Sequence, residues 1–385
     1  MDNQLFLEKV TDLLFSPENS KTSDKFFSEL KKSIIYVYGA GNAGAMTVEL
    51  LGILGISIRG FWDRNADKIC KFKSKPVDKP FSSKTEKGAN VIIIIAFICG
   101  YEELKKTINK VEEEGFYNII YYHEIYNFLI KKDFQDSISF KSNSKPELLN
   151  IKKVKSNILS VAAMLEDKKS MDVYMSFFQA ITHSNCDLFA RPEKAIQYFV
   201  DDVPFSKGYD SFVDCGAFDG DTMFLLSKLK QETRKIVLFE PDVTNYNNLI
   251  NNIKESEIKK EIISFPCGVW DKTEKVRFSS GSYAGCKITE EGNDFIQCVK
   301  IDDALQNFLP TFIKMDIEGS ELKALKGAER TIIENRPDLA ICVYHKIEDM
   351  WEIPLLIKSI NANYKFYLRS HGLYGMETVL YAVCP

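Results

Sequence analysis

The chain has 385 residues, 45% of them hydrophobic, with 50 basic against 54 acidic side chains and a formal net charge of -4. That length exceeds one ordinary domain, so two domains with separate cores are expected. Charges of both signs are mixed along the chain, which argues against a nucleic-acid footprint or a basic membrane-binding patch.

The nine cysteines are scattered without a C-x-x-C pair, and Cys215, Cys267 and Cys342 sit in apolar, strand-like runs, the pattern of reduced thiols. The opening MDNQLFLEKVTDLLF has an acid where a signal peptide has basic residues. The longest apolar run, VIIIIAFICG, is too short to span a bilayer. A cytoplasmic protein without a membrane span is expected.

From about Ser33 to Tyr126 strand and helix alternate: SIIYVYGAG, an apolar-periodic helix through Leu54, ISIRGFWD, NVIIIIAF, the charged helix YEELKKTINKVEEEG, and YNIIYYHEIY. Glycine-bounded β-rich runs separated by helical periods predict βαβ units on a parallel sheet, a small Rossmann-like domain. The lysine-rich KICKFKSKPVDK reads as solvated loop. GAGNAG (Gly39, Gly41, Gly44) follows a strand and opens a helix, and Asp63 comes nineteen residues after its last glycine. Those are the conditions of a dinucleotide fingerprint, so a nucleotide, nucleotide-sugar or NAD site is one reading. In the other, the glycines only permit tight strand-to-helix packing, and Asp63, Arg64 and Asn65 form a polar turn.

KKDFQDSISFKSNSKPELLN breaks the pattern and predicts a linker near Ser142 to Pro146. Mainly helical text follows from Glu147 to Val200. The expected domains are 1–145, a helical connector or cap at 146–200, and 201–385. The last contains strand candidates SFVDCG, KIVLFE, IISFPCGV, TFIKMDI, DLAICVYH, YKFYLRS and ETVLYAV. Without a helix between them, the final two should pair as an antiparallel hairpin, giving a mixed sheet with one reversed strand.

The glycine turn FVDCGAFDGDT carries Asp214, Asp219 and Asp221. A phosphate oxygen about 4 Å from one carboxylate is disfavoured by roughly 4 kcal/mol at an effective dielectric of 20, so this turn selects a cationic ligand. A nucleoside with a positively charged tail fits, and S-adenosylmethionine is one. Gly216 and Gly220 let the backbone approach it, Asp214 and Asp219 face its ammonium or hydroxyls, and Glu240 in VLFEPD takes both ribose hydroxyls. Gly268, Val269 and Trp270 are candidates to border the adenine, and Asp271 to accept from its amine, although Trp270 may equally be core.

Together, VDCGAFDGDT, FEPD, IKMDIEGSELKALKGA, DLAICVYHKIEDMWEIP and YLRSH…ETVLYAV resemble the FkbM-type family of S-adenosylmethionine-dependent methyltransferases over roughly Gln197 to Val383. The resemblance implies the class I methyltransferase seven-stranded sheet and methylation of hydroxyls, often on sugars or polyketide-like products. QYF at Gln197 to Phe199 also resembles the segment preceding that core.

Methyl transfer to oxygen needs alignment and removal of a proton. Asp316 and Glu318 at the end of the fourth strand are the candidates, with helix capping as the alternative role for such acids. Ser320 with Glu321 is expected to do that capping. His345 ends the fifth strand, and an ordinary pKa near 6.5 would suit a base. Lys314 and Glu348 are secondary neighbours. Asp316, Glu318 and His345 could hold a divalent ion, but the ligand count is marginal and no metal is assigned. His371 lines the acceptor pocket or caps its turn; His123 and His183 have no supporting context. The expectation is an O-methyltransferase acting on a hydroxyl of a sugar, glycan precursor or related small metabolite, the acceptor perhaps nucleotide-linked, with homo-oligomerisation left open. Its rivals are an NAD-dependent oxidoreductase using GAGNAG and a non-catalytic binding protein.

Overall fold

The computed structural model describes residues 28–83, 85–97, 101–122, 125, 151–183, 188–279, 287–288 and 294–385. The linker expected near Ser142 to Pro146 and His123 lie outside the described residues. Contacts divide the chain into two compact units: one holds Lys152–Tyr174 and Arg191–Pro385, the other the described residues up to Ile151 with Met175–Ala190.

In the N-terminal unit the most apolar runs become the central strands, where both faces are covered. Its elements are β1 (Ile34–Tyr38), α1 (Asn42–Ile53), β2 (Gly60–Trp62), β3 (Lys71–Phe72), β4 (Lys75–Asp78), β5 (Val91–Ile95), α2 (Tyr101–Glu113) and β6 (Ile119–Tyr121). They form a six-stranded sheet in the order β3-β4-β2-β1-β5-β6. The lysine-rich stretch read as loop holds the β3–β4 hairpin, with β4 parallel to β2. Lysines suit such an edge because they discourage further strand pairing, and they also hid the strands from a hydrophobicity reading.

Helices α3 (Ile151–Met164) and α4 (Lys168–His183) lead into the second unit. Asp167 accepts from the Ser170 N–H at 2.7 Å at the start of α4 and pairs with the fully buried Arg369 at 2.6 Å. The unit continues with β7 (Ser211–Cys215), α5 (Asp221–Leu229), β8 (Lys235–Phe239), α6 (Val243–Glu255), β9 (Glu261–Phe265), β10 (Gly268–Val269), β11 (Glu274–Ser279), β12 (Lys287–Ile288) and β13 (Asp294–Val299). It ends with β14 (Phe312–Met315), α7 (Glu321–Lys326), β15 (Asp338–Cys342), α8 (Asp349–Ile360), β16 (Lys365–Ser370) and β17 (Thr378–Val383).

The seven-stranded sheet runs β16-β17-β15-β14-β7-β8-β9. Strand β17 is antiparallel to both β15 and β16, so it is the one reversed strand. The hairpin forms as expected, with β16 rather than β17 at the edge. Phe212, Phe312 and Tyr209 stack in the core beside it. Not expected was a small sheet, β10-β13-β11-β12. It forms because EKVRFS and DFIQCV alternate, turning Phe278, Ile296 and Cys298 into one small core.

Candidate methyl-transfer site

Strands β7, β8 and β14 pair in parallel with Cys215 opposite both Phe239 and Met315. The next residues of each strand therefore emerge at one edge of the sheet. Gly216, Phe218 and Gly220 adopt left-handed φ values of 89°, 49° and 96° as the chain turns into α5. Glycine is needed at Gly216 for a second reason: a Cβ there would collide with the carbonyl oxygen of Asp316. The turn thus lies directly on the end of β14.

The three acids of the turn differ in setting. Asp214 is wholly buried, with its Oδ1 2.8 Å from Nζ of Lys314. The same ammonium donates to the Gly216 carbonyl at 2.7 Å. Burial pushes the Asp214 carboxyl up to about 6 despite the pull of Lys314. For Lys314 burial opposes the charge, but Asp214 and Asp316 outweigh it and keep the ammonium protonated. The charge of Asp214 is therefore balanced inside the sheet. Half-buried Asp219 and exposed Asp221 supply the negative potential at the surface of the turn.

Glu240, just after β8, accepts from the N–H of Phe218 and of Asp242, both at 2.9 Å. Burial raises its carboxyl to about 7, against those two hydrogen bonds. It is thereby fixed to the same turn.

Asp316 follows β14 and accepts from the hydroxyls of Tyr198 at 2.9 Å and Tyr344 at 3.2 Å. Burial works against its ionisation, but Lys314, His345 and the two phenols hold the carboxyl below its usual range. Tyr344 also reaches Glu377 at 3.4 Å, and Gln197 donates to Glu377 at 2.7 Å.

His345 Nε2 stands 3.4 Å from Asp316 Oδ1 and 3.8 Å from Glu318 Oε2, while Nδ1 stands 3.0 Å from Glu321 Oε1. Burial disfavours the imidazolium, yet Glu321, Asp316 and Glu318 together push the pKa up to about 9. The ordinary value assumed from sequence does not apply: the ring carries a proton at neutral pH. Glu318, with φ 55°, is raised by burial, and by Asp316, Glu321 and Glu377, to about 7.

The capping expectation needs correction at Ser320, whose side chain makes no cap bond to α7. Glu321 instead reaches back to the N–H of Ile317 at 2.9 Å and of Gly319 at 3.4 Å. One ligand atom from each of Asp316, Glu321 and His345 lies within 4.8 Å of the others.

The family described as methyltransferase FkbM domain matches residues 214–371. Among solved structures, methyltransferase FkbM from Methylobacillus flagellatus KT is similar in fold, at 22% identity and a TM-score of 0.70, over 99% of this chain and 98% of its own. A fibrillarin/Nop5p complex (13% identity, TM-score 0.30, 46% of this chain and 73% of its own) carries no argument. Nor does a putative rRNA methylase from Clostridium thermocellum (12% identity, TM-score 0.29, 46% and 87%). No curated protein matches the chain.

Within the matched region, Asp271 pairs with Lys323 of α7 at 3.5 Å, and that ammonium sits 4.7 Å from the Trp270 ring centre. Glu348 immediately precedes α8. His371 binds the Tyr381 hydroxyl at 2.9 Å and faces the Ala195 carbonyl at 3.3 Å; burial lowers its pKa.

In the N-terminal unit, a Cβ at Gly39 would strike the Ala96 carbonyl and one at Gly44 the Gly39 carbonyl, whereas Gly41 opens onto free space. Asp63 accepts from the N–H of Ala40 and of Asn65, both at 2.8 Å. The packing role of Gly39 and Gly44 and the polar turn at Asp63 are both present.

Sequence reasoning did not place Tyr344 or Glu377 at the site, had Tyr198 only within QYF, and read Glu321 only as a capping residue. The available signal was the tyrosine beside His345 at a strand end and a glutamate at the first position of α7. Tyr198 and Glu377 lie 118 and 61 positions from Asp316, and only the fold brings them to it.

Proposed function

We propose that the protein is an S-adenosylmethionine-dependent O-methyltransferase acting on a hydroxyl of a sugar, glycan precursor or related small metabolite. The observation that carries this reading is the packing of an acid-bearing glycine turn on the end of β14, which presents Asp316 and Glu318, beside the parallel strand β15, which leads to His345. Asp219, Asp221 and Glu240 suit a cationic nucleoside, with Gly216 and Gly220 allowing close approach; Asp271 is the candidate for its base.

In the reaction the acceptor oxygen attacks the methyl carbon as the carbon–sulfur bond breaks, and the sulfonium leaves as a neutral thioether. The hydroxyl proton goes to a carboxylate. Glu318, with a pKa near 7, is suited to take it, while ionised Asp316 and cationic His345 orient the hydroxyl. The N-terminal turn at Gly39, Gly41, Gly44 and Asp63 would take a nucleotide as a ligand of its own unit. Among the described residues no helix is long and apolar enough to cross a membrane.

The test is calorimetry with S-adenosylhomocysteine followed by a labelled-methyl screen against nucleotide sugars and glycans. Glu240→Ala should abolish cofactor uptake, and His345→Ala should keep uptake and slow turnover. Absence of uptake by folded wild-type protein would refute the assignment.

A further inference from the structure

The cluster around His345 contains more unsatisfied polarity than methyl transfer uses. Its side chain is 9% exposed and that of Glu321 0%. Neither ring nitrogen of His345 makes a hydrogen bond, and neither does Glu321 Oε2. The nitrogens lie 3.0 Å from Glu321 and 3.4 Å from Asp316, yet their directions miss the oxygens. A buried imidazole among acids would be expected to make such bonds, because an unmade buried hydrogen bond is costly. One nitrogen of His345 does lie within 4.8 Å of a carboxylate oxygen from each of Asp316 and Glu321.

We propose that Asp316, Glu321 and His345 hold one first-row divalent cation, His345 giving up its proton as the ion binds, with Glu318 on its open side, and that the acceptor hydroxyl binds to that cation. The second half rests on the methyl-transfer reading; the first does not. Sequence offered three ligands, a marginal count, and Glu321 adds a fourth group from the start of α7. Carboxylates with one imidazole suit Mn²⁺ and its neighbours.

Ligand atoms on a coordination sphere of about 2.1 Å stand roughly 3 to 4.2 Å apart. The three here lie within 4.8 Å of one another, so contraction by well under 1 Å closes the set. Glu321 is anchored by the Ile317 and Gly319 N–H groups on Oε1, the oxygen that also faces His345 Nδ1, and its Oε2 has no hydrogen-bond partner. Glu318, whose side chain is 35% exposed, stands where an acceptor would enter. A cation there would act as a Lewis acid on the hydroxyl oxygen and make its proton easier for Glu318 to take.

The experiment uses the full chain, stripped with chelator and titrated with Mn²⁺ while electron paramagnetic resonance follows the free ion. One Mn²⁺ per chain is expected, with saturable binding lost in His345→Gln and weakened about 10–100-fold or more in Glu321→Gln. Because Glu321 is buried and its variant may not fold, Asp316→Asn serves as a second ligand variant, expected to lose saturable binding, with S-adenosylhomocysteine uptake as the check on folding. No saturable binding to wild type, or binding unchanged in folded His345→Gln and Asp316→Asn, overturns the site. Full methyl transfer by chelated enzyme overturns the role of the ion and leaves the methyltransferase assignment standing. Mn²⁺ uptake without cofactor uptake would do the reverse.

Discussion

Replacing Lys314 by methionine removes the cation paired with Asp214, in a pair whose side chains are 4% and 0% exposed. Breaking a buried pair from one side costs about 3–5 kcal/mol, since the remaining charge has neither water nor partner. The variant also loses the hydrogen bond that fixes the Gly216 carbonyl. Asp214 already sits at about 6 with its partner present, roughly two units above a free aspartate, or about 3 kcal/mol against the ionised native state. Without the ammonium its pKa must rise further.

A carboxyl raised in the folded state destabilises above its folded pKa and is relieved as pH falls and the proton binds. The Lys314→Met deficit should therefore be about 3 kcal/mol or more at pH 8 and clearly smaller at pH 5.5. Two units need not unfold together, so the readout is hydrogen exchange of peptides covering β7 and β14 in the full chain. Adding Asp214→Asn to Lys314→Met should recover about 1–3 kcal/mol at pH 8, the coupling expected of contacting residues. A deficit equal at both pH values, with strictly additive substitutions, would refute the electrostatic account of this pair.

Cofactor uptake should depend on Glu240, whose carboxyl sits at about 7 and must ionise to accept ribose hydroxyls. S-adenosylhomocysteine affinity should rise about 10-fold from pH 6 to pH 8, and calorimetry of Glu240→Gln should show a weak, pH-independent affinity. Gly216→Ala forces a side chain into φ 89° and into the Asp316 carbonyl; a loss of about 2 kcal/mol or more in β7 protection, with cofactor uptake reduced alongside, is expected. Arg369→Met strands Asp167 and Asp202 beside a fully buried site. Because both acids are partly exposed and Asp202 keeps Lys169, hydrogen exchange of peptides covering β16 should report about 1–3 kcal/mol lost, with cofactor affinity little changed in the protein that remains folded.

The sequence by itself determined the sheet and the kind of turn. Runs such as SFVDC and DLAIC are apolar on both faces, which only a covered parallel strand tolerates, and a glycine turn after the first of them must lie at the sheet's carboxyl edge. The lysine-rich β3–β4 hairpin and the alternating β11 and β13 were less legible, because their partners supply what their own composition lacks. Tertiary structure alone decided the electrostatics. Asp214 belongs to the acidic turn in sequence yet is neutralised by Lys314 one strand away. His345 has an ordinary pKa in isolation and is driven to about 9 by acids that converge on it. Glu321, which reads as a helix-start residue, becomes its closest neighbour. Charge interactions depend on distance and burial, and the order of residues along a chain specifies neither until the strands are paired.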